Sequence, residues 1–233
     1  MKKKNAVAPL LLAVISVIIY LAVGKTLYKA VTSSAVLKAQ ATVIIIDAGH
    51  GGQDGGSSVD GVTEKDINLD IALKLNAIFE LFGFETRLTR SGDYSTDGSE
   101  KFNKRLDLDN RIKLINSFEN KVVISIHVNE FPSKRYFGAQ MFYKNGQNNV
   151  KWAEKTMLRL KTLQPENERV AKPINSALYL YSRIDCPVLL AECGFLSNDA
   201  ERALLTDEKY RMQIAMALFA GYTDNIESEV NYG

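Results

Sequence analysis

The chain has 233 residues, 46% of them hydrophobic and 24% charged, which suits one domain with a sizeable core and excludes a disordered polyelectrolyte. Its net charge of +2 belongs to the amino-terminal flank: six of the 29 basic residues precede Asp47 and no acidic one does, leaving 23 basic against 27 acidic groups from residue 42 onward. That balance, with no basic stripe, excludes nucleic acid as a partner.

Lys2, Lys3 and Lys4 stand before an uncharged apolar run over residues 6–24, long enough as a helix to cross about 30 Å of hydrocarbon. Residues 1–24 read as a signal anchor, with a long signal peptide as the alternative. The lysines ahead of the run place the remainder of the chain on the extracytoplasmic face of a bacterial membrane, or secreted if the segment is cleaved. Residues 25–41, rich in Ala, Ser, Thr and Val, read as a linker. The domain is expected over residues 42–226, with a short tail over 227–233.

Residues 43–47, Val-Ile-Ile-Ile-Asp, predict a buried strand. It opens onto Ala48-Gly-His-Gly-Gly-Gln-Asp-Gly-Gly56, which is too glycine-rich to be anything but a loop. A helix is expected from about Thr63. Thr63 and Asp66 have capping-box spacing, Ile67, Ile71, Leu75, Ile78 and Phe82 make an apolar stripe, and Gly83 ends it. Residues 84–90 alternate as a second strand. A polar loop follows to Lys104, then a helix over about 105–117. Strands are expected at 122–128 and 139–143, a helix at 149–163, and a last strand at 187–194. Ser197 and Asn198 cap a short helix, and a longer one over about 207–225 closes the chain. Strands alternating with helices predict a single α/β domain: a mostly parallel, twisted sheet of about six strands with helices on both faces.

The two histidines, His50 and His127, both stand at strand ends, beside Asp47 and Asn129. Parallel neighbouring strands would bring both imidazoles to the carboxyl edge of the sheet, where open α/β sheets bind ligands. That placement suggests a metal site. Glu64, at the start of the helix after the glycine loop, is either a third ligand or an acid favoured there by the helix dipole. Asp47 either fixes an imidazole tautomer or caps the glycine turn. Glu192 ends the apolar run Val188-Leu-Leu-Ala191. A carboxylate there needs a cation, a donor or a chemical task, because burying it unpaired is costly; Arg90 and Arg111 are the salt-bridge candidates. Cys193 alternates to the opposite face and reads as core. If residues 187–194 are extended, Cys186 and Cys193 lie about 20 Å apart and cannot be bridged. The glycine loop fits neither a dinucleotide fingerprint nor a phosphate loop, and no nucleophile elbow is present.

The segments Ile46-Asp-Ala-Gly-His50-Gly-Gly-Gln-Asp-Gly-Gly56, Thr63-Glu64-Lys-Asp66, Leu88-Thr-Arg90, Asn110-Arg111, Ser125-Ile-His127-Val-Asn129 and Leu190-Ala-Glu192-Cys-Gly-Phe-Leu-Ser-Asn198 resemble the zinc-dependent N-acetylmuramoyl-L-alanine amidases of the amidase-3 type. The resemblance covers about residues 42–225 and departs in two places: Ala48 where proline is common, and Cys193 after the glutamate. It implies one zinc ion on His50, Glu64 and His127, with Glu192 as the catalytic glutamate. Asp47, Asn129, Arg90 and Arg111 become candidates for contacting substrate or supporting the ligands. It further implies peptidoglycan as substrate, cut between N-acetylmuramic acid and L-alanine. A single domain behind one apolar segment is most similar to the sporulation amidases of the CwlD type. That likeness implies a place at the forespore envelope, a step toward muramic δ-lactam in spore cortex with a muramic acid deacetylase acting next, and an accessory lipoprotein. The alternatives are a wall-binding protein with a vestigial zinc site, and a zinc carboxypeptidase or deacetylase. The loops at 91–104 and 130–137 are expected to border a substrate groove.

Overall fold

The computed structural model describes residues 41–144 and 146–231. The predicted anchor and nearly all of the predicted linker lie outside these residues. Among the described residues no helix is long and apolar enough to cross a membrane.

The chain runs through β1 (Val43–Ala48), β2 (Ser58–Val59), β3 (Val62–Thr63), α1 (Glu64–Leu81), β4 (Thr86–Leu88), α2 (Lys104–Asn116) and β5 (Lys121–Asn129). It continues with β6 (Gln140–Tyr143), α3 (Gln147–Lys161), β7 (Lys172–Pro173), β8 (Val188–Phe195), α4 (Asp199–Thr206) and α5 (Glu208–Asn231). Six strands form one sheet in the order β4-β1-β5-β8-β6-β7. The first four are parallel, and β6 runs antiparallel to β8.

β1 is buried along its whole length because it lies inside the sheet with helices above and below, so both pleat faces can be apolar. Ile44 and Ile46 share a core with Ile124, Ile126, Leu189 and Ala191 under Ile71, Leu75, Trp152, Ile214 and Leu218 of α1, α3 and α5. Val43, Ile45, Val123, Val188 and Leu190 point the other way, onto Ile115 of α2 and the irregular segment carrying Leu180, Tyr181 and Ile184. Each fully buried isoleucine contributes roughly 1.5–3 kcal/mol. Cys193 joins the first core, opposite in pleat to Glu192.

The fold class is as expected, and several boundaries differ. The apolar stripe of α1 ends on Phe79, which is fully buried, while Phe82 is 57% exposed and rests on Phe219. The row 67, 71, 75, 79 keeps one helix face, which Phe82 leaves as the helix ends. Thr63 does not cap a backbone N–H; its hydroxyl bonds the Asp66 carboxylate instead. α5 runs to Asn231, past the expected end near Asn225. The two-residue strands β2, β3 and β7 are too short to carry a periodic signal.

The topology fixes where a site can be. From β1 the chain crosses to β4 on one side, then returns past β1 to β5 on the other. The strand order therefore reverses between β1 and β5, and a crevice opens at their carboxyl ends. His50 follows β1, and His127 lies near the end of β5.

Candidate metal centre and active site

His50 holds a left-handed backbone, φ 61°, a rare conformation for a residue with a Cβ. It aims the ring back over the sheet edge, where Nε2 lies 3.2 Å from Glu64 Oε1. His127 Nδ1 lies 3.0 Å from the same oxygen. Ligand atoms of the three side chains all fall within 4.8 Å of one another. Donors around a tetrahedral zinc ion sit about 3.3 Å apart, from bond lengths near 2.0–2.1 Å. Two imidazole nitrogens and one carboxylate also match the borderline character of zinc while leaving a position open. The residues present fit the ion.

The surrounding residues keep this arrangement in place. Glu64 is oriented by Asn68, one turn along α1, and by the Val128 N–H, both donating to Oε1 at 3.2 Å, while the Ser57 N–H donates to Oε2 at 3.0 Å. Burial opposes its charge, but His127 and His50 hold the carboxyl well below the usual carboxylate range. Asp54 Oδ2 lies 3.0 Å from His50 Nδ1, off the line of a full hydrogen bond and close enough for an ion contact. Against the cost of burial, Asp54 and Glu64 raise the imidazole to about 9. Asp54 itself, opposed by burial, is lowered to about 2 by His50 and Lys104.

Gly49 gives the His127 ring its space: a Cβ there would stand 2.3 Å from Cε1. Gly49→Ala is expected to displace that ring and weaken metal binding by about 10–100-fold, as removal of a ligand's support does. Gly55→Ala meets nothing within 4 Å and serves as the control. Metal titration followed by fluorescence or calorimetry checks this; equal affinities in the two variants would refute it.

Asp47 does not orient an imidazole, contrary to the first of its two expected roles. Its Oδ1 accepts from Thr89 Oγ1 at 2.8 Å and Arg111 Nη1 at 2.7 Å, and its Oδ2 accepts from Ser125 Oγ at 2.6 Å. Tyr181 donates in turn to Ser125 at 3.0 Å. Arg90 and Arg111, the salt-bridge candidates for Glu192, find other partners. Both are buried, at 1% and 2% exposure, and neither pairs with Glu192. Arg90 donates to the carbonyls of Ala48, Gly49, Lys65 and Gly92. Arg111 donates to Asp47, Asp107 and the carbonyls of Ala48 and His50. The two guanidiniums clamp the glycine loop, and every one of their nitrogens donates a hydrogen bond in this arrangement.

Glu192 pairs with His127 in the β5/β8 register and shares its pleat face. The register then slips before Asn129, which pairs with Phe195, and Gly194 on β8 takes φ 147° at the bulge. Asn129 ends β5, its carbonyl accepting from the Leu196 N–H at 2.9 Å. Although Glu192 is partly exposed as a residue, its Oε2 is sealed from solvent and has no hydrogen-bond partner. Burial pushes the carboxyl up, His127 and His50 offset part of that, and Glu64 adds to it. A partnerless carboxylate facing two imidazoles and a second carboxylate is placed to exchange protons.

A cleft of about 190 Å³ opens beside the histidines. Its walls are the start of α2, with Lys104 and Leu108, and the segment Leu178, Tyr179, Leu180 and Tyr181. The loop over 91–104 packs on the glycine loop through Tyr94 and Ser95 and reaches the cleft through Lys104. Asp54, Asn68 and the 178–181 wall carried no recognised signal. Asn68 had one, since it lies four residues after Glu64 on α1, the spacing that brings helical side chains together; Asp54 meets His50 only through the fold of the glycine loop, where that spacing carries no such signal.

Comparison with known proteins agrees with this geometry. A family model described as N-acetylmuramoyl-L-alanine amidase matches residues 44–224. The germination-specific N-acetylmuramoyl-L-alanine amidase of Bacillus subtilis is 35% identical over 184 residues, 77% of each chain. The CwlD amidase from Clostridioides difficile, solved in complex with the GerS lipoprotein, superposes with a TM-score of 0.76 at 37% identity, covering 80% of this chain and 99% of that one. The catalytic domain of CwlV, an N-acetylmuramoyl-L-alanine amidase from Bacillus (Paenibacillus) polymyxa var. colistinus, gives 0.67 at 27% identity over 80% and 98%. With a match that runs from β1 into α5 and relatives alike along that whole span, the chain belongs to the N-acetylmuramoyl-L-alanine amidase family and is an amidase of peptidoglycan.

Proposed function

We propose that His50, Glu64 and His127 hold one zinc ion and that Glu192 is the catalytic acid and base. The observation that carries this reading is the pairing of Glu192 with His127 across β5 and β8, with one carboxylate oxygen buried and unbonded. What zinc supplies when held there is Lewis acidity, which makes a water more acidic and an amide carbonyl more electrophilic. Glu192 takes a proton from the attacking water as its oxygen bonds the lactyl carbonyl carbon. As the carbon–nitrogen bond breaks, Glu192 returns that proton to the departing nitrogen of L-alanine. Asn129, one pleat beyond His127, borders the bound substrate.

The physiological setting is spore cortex, where stripping the stem peptide prepares muramic acid for δ-lactam formation and a muramic acid deacetylase acts next. The germination-specific relative supports this, and the GerS complex of the CwlD amidase supports an accessory lipoprotein. The apolar run over 6–24 holds the domain at the extracytoplasmic face of the membrane, at the forespore envelope. Digestion of purified peptidoglycan by the full chain, with and without added zinc, is the direct test. Mass spectrometry should find whole stem peptides and peptide-free muramic acid only when zinc is present. Release of single amino acids or of acetate would instead assign a carboxypeptidase or a deacetylase, and no product at all a wall-binding protein.

A further inference from the structure

Within the amidase reading, we propose that the cleft beside His50 and His127 is the stem-peptide subsite, and that Lys104 and Arg183 bind the carboxylates of that peptide. The cleft has an apolar wall in Leu108, Leu178 and Leu180, suited to alanine methyls and to the aliphatic parts of a stem peptide. Its polar floor is already satisfied, since Asp107 and Asp47 are both bonded to Arg111. The mouth is different. Tyr179 is held between two guanidiniums, with Arg105 Cζ 3.7 Å and Arg183 Cζ 3.6 Å from the ring centroid. Asp109 neutralises the first, accepting from Arg105 Nε at 3.3 Å and from the Tyr179 hydroxyl at 2.6 Å.

Arg183 has no carboxylate within ion-pair distance among the described residues; it donates to the Tyr179 carbonyl and Ser182 Oγ. With Arg105 neutralised by Asp109, Arg183 carries the uncompensated charge on this ring, and an incoming anion is attracted to it. A guanidinium stacked on a ring keeps its N–H edge free for bidentate contact with a carboxylate. Lys104, with a side chain 63% exposed, stands on the opposite wall, 3.6 Å from Asp54 Oδ2. A peptide leaving the scissile amide through this cleft thus runs between apolar walls, past Lys104 on its lining and toward Arg183, which stacks on the cleft residue Tyr179. Stem peptides suit that path, because they carry free carboxylates along their length and at their end.

The test is calorimetric titration of the full chain with a free stem peptide, in carboxylate and fully amidated forms. Wild type should bind the carboxylate form about tenfold more tightly than the amidated one. Arg183→Gln and Lys104→Gln should each weaken binding of the carboxylate form by about three- to tenfold, and leave the amidated form unaffected. In turnover Arg183→Gln should raise KM for carboxylate-bearing muropeptides and leave kcat in place; Lys104 also faces Asp54 beside His50, so its variant is read by binding alone. Equal binding of the two peptide forms, or unchanged affinity in both variants, overturns the subsite. Because titration needs no catalysis, that result is distinguishable from failure of the amidase reading, which would appear as absence of product in the digest.

Discussion

Glu192→Gln is expected to lower turnover of peptidoglycan by about 10²–10⁴-fold, the usual contribution of a positioned acid and base, while the protein keeps its zinc. The separation is built into the sheet. Glu192 approaches the cluster from β8, whereas the three metal-binding candidates come from the loop after β1, the start of α1, and β5. The substitution is nearly isosteric and removes only the ability to take a proton. It also removes a burial cost, since the carboxylate oxygen Oε2 lacks any partner. The variant should therefore melt at or slightly above the wild-type temperature, a trade of stability for function common at active sites. A purely structural glutamate would behave in the opposite way, with activity kept and stability lost. Zinc content by mass spectrometry, thermal melting and muropeptide release decide together. Wild-type turnover in the variant would remove Glu192 from the mechanism.

How much of this was legible beforehand varies with the range of the interaction. The runs ending in His50, His127 and Glu192 are local patterns, and pleat alternation alone put Cys193 in the core and Glu192 on the other face. Glu64 was ambiguous because a first-turn acid is common on any helix. It became distinct only when the glycine loop folded back, with Gly56 so close that its Cβ would lie 2.6 Å from Glu64 Oε2. The roles of Arg90 and Arg111 were not legible at all. Their partners lie 25 to 64 residues away, apart from Gly92 and Asp107, and are mostly main-chain carbonyls, which carry no side-chain signature. The cleft wall at 178–181 was missed for a related reason. It is irregular backbone without a period, recruited to the sheet through Leu180, Tyr181 and Ile184.

Arg111→Met should destabilise the protein by about 3–5 kcal/mol, because it leaves two buried carboxylates without their cation. Asp47 and Asp107 are 2% and 3% exposed, and both are bonded to this guanidinium. In a domain of this size that loss lowers Tm by about 10 °C. Arg111→Lys keeps the charge but not the fork that reaches Asp47, Asp107 and two carbonyls together, so it should fall between the variant and wild type. The pH dependence supplies an independent sign. Burial opposes the charge on Asp47, yet Arg111 and Ser125 hold its pKa at about 2, below the ordinary 3.8. Its contribution to wild-type stability is full above about pH 4 and is lost as the pH falls through about 2. Without Arg111 burial dominates and the carboxyl is pushed up, so protonation relieves the variant. The stability gap between wild type and Arg111→Met should therefore narrow as pH falls from about 5 to about 2 in denaturant titrations. Zinc affinity should drop as well, because Arg111 anchors the His50 carbonyl at 2.6 Å and helps hold its left-handed backbone. A gap that stays constant with pH, or a loss below about 1 kcal/mol, would mean that Asp47 and Asp107 find other partners and that the loop needs no clamp.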